Sequence, residues 1–261
     1  MEKSAKELLI QSLIDQKAIF GDDLFEPEVA RRKTVVEKRP GFNTVKEPQP
    51  AVEKIHLKEE DIEEENLFEE AKEDWEKTAS LDELNKLICE CQKCPLGATR
   101  NKFVFGSGNP NADVLVVGEG PGADEDAQGL PFVGRAGKLL TDILKAIQFE
   151  RDEVYIANVV KCRPPGNRTP LPAEMETWLP YLAKQIDIIK PKLILCLGRT
   201  AAQGLLNKRD SLTSMRGKVF ELKSIKAMVT YHPAALLRNP NWKRGCWEDV
   251  QQFRKLYDEM Q

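Results

Sequence analysis

Three apolar runs rich in β-branched residues, each followed by a stretch with helical periodicity, constrain this chain more than any other feature. "ADVLVVGEGPG" leads into "RAGKLLTDILKAI", "EVYIANVV" into "PAEMETWLPYLAKQIDIIK", and "PKLILCLG" into "RTAAQGLLN". The runs are apolar at consecutive positions, as strands covered on both faces are, whereas the stretches between them space their apolar residues three and four apart. Strand and helix taking turns predicts parallel strands with helices on both faces of the sheet. "GKVFEL" and "KAMVTYHP" read as a pair of short strands joined near residues 223–225, "CWEDVQQFRKLYDEM" as a closing helix, and Pro180 as an interruption of the helix after the second strand.

In such a sheet the working residues gather at the carboxyl ends of the strands. That selects Gly118, Glu119, Gly120, Pro121 and Gly122 after the first strand, Asn158 after the second, Gly198 after the third and His232 after the last, and predicts one cleft for all of them. "GEGPG" lacks the Gly-Lys-Ser/Thr ending of a phosphate-binding loop and is a poor dinucleotide fingerprint, which argues against a nucleotide cofactor. His232 is the only histidine outside the amino-terminal region, and its place after a strand and before a proline makes it a candidate for chemistry as well as for structure.

The 261-residue chain divides by charge. Residues 1–80 hold 13 Lys and Arg against 21 Asp and Glu, a net of −8, and residues 81–261 hold 26 against 21, a net of +5. The basic part suits a polyanion such as nucleic acid, although ordinary surfaces also reach this value. Within the acidic part, "AKELLIQSLIDQKAIF" has helical spacing, and a Pro-containing, charge-rich run follows it. We therefore expect an acidic, partly helical or disordered extension over 1–80, ending near Ser80, and a folded domain over 81–261. Gln16–Phe20, "QKAIF", resembles the short Gln-plus-aromatic peptides by which bacterial repair proteins hang from the replication sliding clamp. There is no secretion signal and no run of eighteen apolar residues, so the expectation is a cytoplasmic protein without a membrane span.

Three of six cysteines fall within "CECQKC", residues 89–94. A metal or cluster site and a disulfide staple compete for them, and a reducing compartment favours the former.

"FGSGNPNADVLVVGEGPGADEDAQGLPFVGRAGKLL", "NVVKCRPPGNRTP" and "YHPAALLR" together resemble the iron-sulfur uracil-DNA glycosylases of prokaryotes, family 4, over about residues 85–261. The resemblance implies a three-layer αβα sandwich with a central, mainly parallel four-stranded sheet, and a monomeric enzyme that flips uracil out of DNA and hydrolyses its N-glycosidic bond. Phe132 is then the plate on which the extruded base stacks, with Gly120 allowing the backbone to approach it, and Asn158 the amide that pairs with its edge. His232 donates to uracil O2 as negative charge grows there. Glu119 and Glu125 are the carboxylates that position water and offset the cationic sugar, Glu125 foremost; without the resemblance Asp124, Glu125 and Asp126 read as a solvated acidic loop.

Arg163, Arg168 and Arg238, with Lys161, are expected to grip phosphates, and Leu237 or Arg238 to fill the gap left by the base. Cys91, Cys94 and Cys162 match three ligands of a [4Fe-4S] cluster. The fourth position carries Trp178, which cannot ligate iron, so the cluster is expected to be incomplete, labile or absent, with Cys89 the substitute by proximity. A module that recognises DNA without cutting, or a glycosylase of the same fold acting on another lesion, are the alternatives.

Overall fold

The computed structural model describes residues 73–261, together with Ile14 and Lys17. The rest of the amino-terminal helical stretch, including the other residues of the Gln16–Phe20 motif, and the acidic run before Glu73 lie outside the described residues.

The described chain runs α1 (Leu81–Ile88), α2 (Leu96–Thr99), β1 (Ser107–Gly108), β2 (Val114–Gly118), α3 (Ala123–Gln128), α4 (Arg135–Ala146), β3 (Tyr155–Asn158), α5 (Pro172–Ile189), β4 (Leu193–Leu197), α6 (Arg199–Leu206), α7 (Leu212–Met215), β5 (Val219–Leu222), β6 (Ile225–Thr230), α8 (Pro233–Arg238) and α9 (Lys243–Asp258). The strands form one sheet in the order β1-β3-β2-β4-β6-β5. Its four inner strands are parallel, as expected, but two antiparallel edge strands make six in all. The missed strand, β1, is two residues long and carries a glycine with φ of 125°, so no periodicity could announce it. At the other edge, β5 alternates exposed with half-buried residues and turns into β6 through Lys223 and Ser224, both with positive φ as tight hairpin turns require.

The inner strands are buried throughout because each face has its own core. In β2, Leu115 and Val117 point to one side and Val114 and Val116 to the other; in β4, Ile194 and Cys196 oppose Leu193, Leu195 and Leu197. The first side is covered by α1, α5 and α6 through Leu84, Trp178, Leu182, Ile186 and Ala201, the second by α4 and α9 through Leu140, Leu144, Val250 and Phe253. Each such side chain contributes about 1.5–3 kcal/mol on burial. Truncating fully buried Leu140 to alanine would cost about 2–5 kcal/mol through the cavity left behind.

Pro180 does not interrupt its helix. α5 continues from Pro172 to Ile189 with Pro180 exposed inside it, and the buried face bearing Trp178, Tyr181 and Leu182 offsets the lost backbone bond. At its amino terminus, α1 is capped by Ser80, whose hydroxyl accepts from Glu83 N–H at 3.2 Å. Residues before Ser80 also pack here: Trp75 meets Tyr181 edge-on at 4.6 Å, and Lys184 donates to the Glu76 carbonyl at 2.7 Å. No helix among the described residues is long and apolar enough to cross a membrane.

Candidate active site

The carboxyl ends of β2, β3 and β6 open into a cleft of about 290 Å³ lined by Glu119, Gly120, Glu125, Phe132, Asn158 and His232, among others. The residues selected by the strand-end rule therefore meet, except that Gly118 lies beneath the cleft and Gly198 stands behind His232, where a Cβ would lie 3.1 Å from that side chain.

Asn158 ends β3, paired in register with Gly118 at the end of β2. Its side chain is buried, and Oδ1 has no hydrogen-bond partner. An unmatched buried acceptor is costly in a protein interior and marks a position where a ligand's donor belongs. Gly118 is what lets this group reach the cleft, because a Cβ there would lie 2.4 Å from Asn158 Oδ1 and 2.6 Å from the Phe132 ring.

Phe132 is buried and adopts a left-handed backbone, φ 51°, which an aromatic residue takes only under constraint. The constraint is visible on both sides of it. Glu125 Oε1 accepts from the N–H groups of Val133 and Gly134 at 2.9 and 3.0 Å, while Arg151 Nη2 donates to the Pro131 carbonyl at 2.7 Å. Glu125 Oε2 accepts from Gly122 N–H at 3.0 Å, so three backbone donors engage this one carboxylate. Of the acidic run only Asp124 is exposed: Glu125 ties the glycine turn to the Phe132 loop, and Asp126 is buried, accepting from Asn101 N–H at 2.9 Å and its side-chain amide at 2.7 Å. Glu119, by contrast, lines the cleft without a protein partner for its carboxylate among the described residues.

His232 caps α8, its Nδ1 accepting from Ala234 N–H at 3.2 Å. Burial, aided by the Arg238 charge, lowers its pKa to about 4, so the ring is neutral at physiological pH and its one proton sits on Nε2. The ring lies 5.5 Å from Phe132, tilted by 33°.

Of the expected phosphate contacts, Arg168 and Arg238 line the cleft, and Leu237 is exposed on α8. Arg168 also forms a two-pronged ion pair with buried Glu174, at 2.6 and 2.8 Å, that anchors the start of α5. Arg163 donates to Asn167 Oδ1 at 2.7 Å, which supports Asn167, a cleft residue that sequence reasoning passed over. Lys161 corrects its expectation. It is fully buried, donating to the Asn158 carbonyl at 3.0 Å and to Gln185 Oε1 at 2.5 Å, and so cannot reach a phosphate. Burial lowers its pKa to about 7. Arg151 was also missed, because a bond to a carbonyl twenty residues away leaves no local signal.

The cysteines form a second locus. Cys91 and Cys94 lie between α1 and α2, and Cys162 follows β3. Arg100 joins them, Nη1 donating to Cys162 Sγ at 3.3 Å and to the Cys91 carbonyl at 2.7 Å, and Nη2 to the Cys89 carbonyl at 2.8 Å. Burial pushes the Cys162 thiol up to about 11 despite the Arg100 charge. Trp178 is fully buried in the same core, its ring 5.6 Å from Phe103 and 5.4 Å from Tyr181, and its indole N–H has no acceptor. Cys89 does not stand in for it: its thiol points back to the Lys86 carbonyl at 3.5 Å. No group of three or more Cys, His, Asp or Glu among the described residues is arranged to hold a metal ion. The donor set offers three thiols for a four-thiolate shell and does not fit the fourth corner.

Residues 105–254 match the model of the "Uracil DNA glycosylase superfamily". The chain is 44% identical over 190 residues to a Type-4 uracil-DNA glycosylase of Archaeoglobus fulgidus, covering 70% of this chain and 96% of that protein. It is 46% identical over 186 residues to one of Sulfurisphaera tokodaii, covering 68% and 84%, and 44% identical over 183 residues to one of Thermotoga maritima, covering 67% and 95%.

Proposed function

The chain belongs to the uracil-DNA glycosylase superfamily, and on that premise we propose that it is a DNA repair enzyme that turns uracil out of DNA and hydrolyses its N-glycosidic bond, leaving an abasic site. The observation that carries the proposal is Asn158 Oδ1, a buried acceptor without a partner in a cleft beside Phe132 and His232.

Uracil presents an N–H and a carbonyl on its pairing edge. Asn158 receives that N–H through Oδ1 and offers its NH₂ to the carbonyl, while the base stacks on Phe132. As the C1′–N1 bond breaks, its electron pair leaves with uracil and charge collects on O2. His232, neutral and protonated on Nε2, donates a hydrogen bond to O2 and stabilises that anion without first having to lose a proton. Water adds to C1′, oriented by the free carboxylate of Glu119, which takes up the water's proton and offsets the positive character of the sugar. Glu125 holds Phe132 and the glycine turn in place through its three backbone bonds. Arg168 and Arg238 receive phosphates on either side of the extruded nucleotide, and Leu237 enters the gap.

The same reading gives Cys91, Cys94 and Cys162 as three thiolates of an iron–sulfur cluster that braces the loops around α2 and the start of α5. Arg100, which bridges the Cys162 thiol and the Cys91 backbone, supports it, and Trp178 argues that one iron lacks a protein ligand. No step of bond cleavage passes through it. The acidic extension carries the clamp-binding segment, Gln16–Phe20.

An oligonucleotide with a single uracil, incubated with the enzyme and then treated with alkali, tests the activity. Cleavage at the uracil is expected. Tight binding without release would favour a recognition module, and release of another altered base in preference to uracil would reassign the substrate.

A further inference from the structure

Trp242, the last residue of a 3₁₀ turn that follows α8, is 42% exposed. Its indole stacks on Tyr231 at 5.1 Å and an interplanar angle of 16°. Tyr231 is itself held: the Arg216 guanidinium lies 4.1 Å from its ring centroid and donates to its hydroxyl at 2.8 Å. Arg216 is fixed by two bonds to Asp249, at 2.7 and 3.1 Å, and buried Asp249 accepts from the Thr230 hydroxyl at 2.7 Å. The pile runs from a core residue at the end of β6 out to an aromatic ring in solvent. Such backing lowers the entropy that an exposed indole would lose on binding.

The segment 237–244, "LRNPNWKR", carries Arg238, Lys243 and Arg244 and no carboxylate. Arg238 lines the cleft, so the indole stands in a short stretch continuous with it. An exposed, rigid aromatic ring set among cations and joined to a base-accepting cleft has the two features with which proteins hold unpaired nucleic acid, a stacking platform and a positive track.

We propose that Trp242 stacks on an unpaired base of the DNA strand flanking the extruded nucleotide, which makes this surface a binding site for single-stranded or locally melted DNA. The inference rests on the reading that DNA is the substrate. Tyr231 covers one face of the indole, and the remaining ring is the platform.

The test uses the full chain and a fluorescently labelled oligothymidylate that contains no uracil, with anisotropy measured over a range of salt. Trp242→Ala is expected to weaken single-strand binding by about 5- to 150-fold, the range for losing one stacked base, with the slope against salt unchanged. Trp242→Phe should restore most of the affinity, which a charge contact would not do. Equal affinity of Trp242→Ala and the unaltered chain overturns the inference, as does a loss that phenylalanine fails to rescue in a protein with the unaltered melting temperature. Because the probe lacks uracil, these outcomes leave the excision reading standing; an unaltered chain that binds neither this probe nor uracil-containing DNA would refute both.

Discussion

Replacing Glu125 with glutamine separates a carboxylate that holds a loop from one that acts on the reacting atoms. In the unaltered protein Oε1 accepts from Val133 and Gly134 N–H at 2.9 and 3.0 Å, and Oε2 from Gly122 N–H at 3.0 Å. An amide keeps one oxygen, so at least one backbone donor must face an NH₂ group and the others lose the assistance of the charge. Hydrogen bonds to charged groups contribute about 1.5–3 kcal/mol against roughly 1 for neutral ones, and a stranded donor costs about 1–3 kcal/mol. These donors are part-buried and water recovers some of the loss, which puts Glu125→Gln at about 2–4 kcal/mol less stable. Phe132 should be disturbed with it, since a left-handed backbone at such a residue costs about 1–3 kcal/mol and survives only while its neighbours enforce it. Urea unfolding followed by tryptophan fluorescence, with steady-state excision on the same preparation, should show a lower midpoint at unchanged slope and a raised KM. A variant with wild-type stability and KM but a kcat lower by three orders of magnitude would refute the reasoning and place Glu125 in the chemistry.

His232→Ala should lower kcat by about two to three orders of magnitude with little loss of DNA affinity, as expected for one preorganised donor; single-turnover excision and product-DNA binding check the two halves. Because burial sets the folded pKa of His232 near 4 against 6.5 for the free side chain, the unfolded chain takes up the proton first. Stability should therefore fall as pH drops from about 6.5 towards 4, by up to about 3 kcal/mol from this group, while its catalytic form persists down to about pH 4–5; calorimetry and pH–rate profiles check both signs. Anaerobically purified protein should contain iron and sulfide and bleach in air faster than Trp178→Cys, whereas colourless protein indifferent to Cys91→Ser would show that the thiol site holds no cluster. A fragment beginning at residue 73 should melt higher than one beginning at 81, because the latter loses the Trp75–Tyr181 contact and the Lys93–Glu73 ion pair, and both should release uracil.

The parallel core was legible because strands buried on both faces show unbroken apolar runs, and the rule for their carboxyl ends brought Glu119, Asn158 and His232 into one cleft without any family knowledge. Phe132 was not legible in that way, since its place depends on a left-handed turn clamped by Glu125 and Arg151 from opposite sides. Charge misled at two positions for the same reason. Asp126 and Lys161 look like surface residues in the sequence, but each has hydrogen-bond partners that offset the cost of its removal from water, Asn101 for one and Gln185 with the Asn158 carbonyl for the other. Pro180 misled because helix-breaking is a local cost, and the face that α5 buries is a tertiary gain that no local rule contains.

The contrast between β3 and the segment after β6 has a consequence for how the molecule opens. Asn158 ends an inner strand, paired with Gly118 of β2 and buried, so its peptide group should exchange with deuterium only when the whole domain unfolds. Leu237 to Asn239 stands in solvent at the end of one short helix, and its amides should exchange through local opening, far more often. Under the proposed function, the group that identifies the base is thereby fixed on the timescale of a binding encounter, while the residue that would press into the duplex can sample several positions during it. Errors in approach are then corrected by the moving part, and the standard against which each base is judged stays constant.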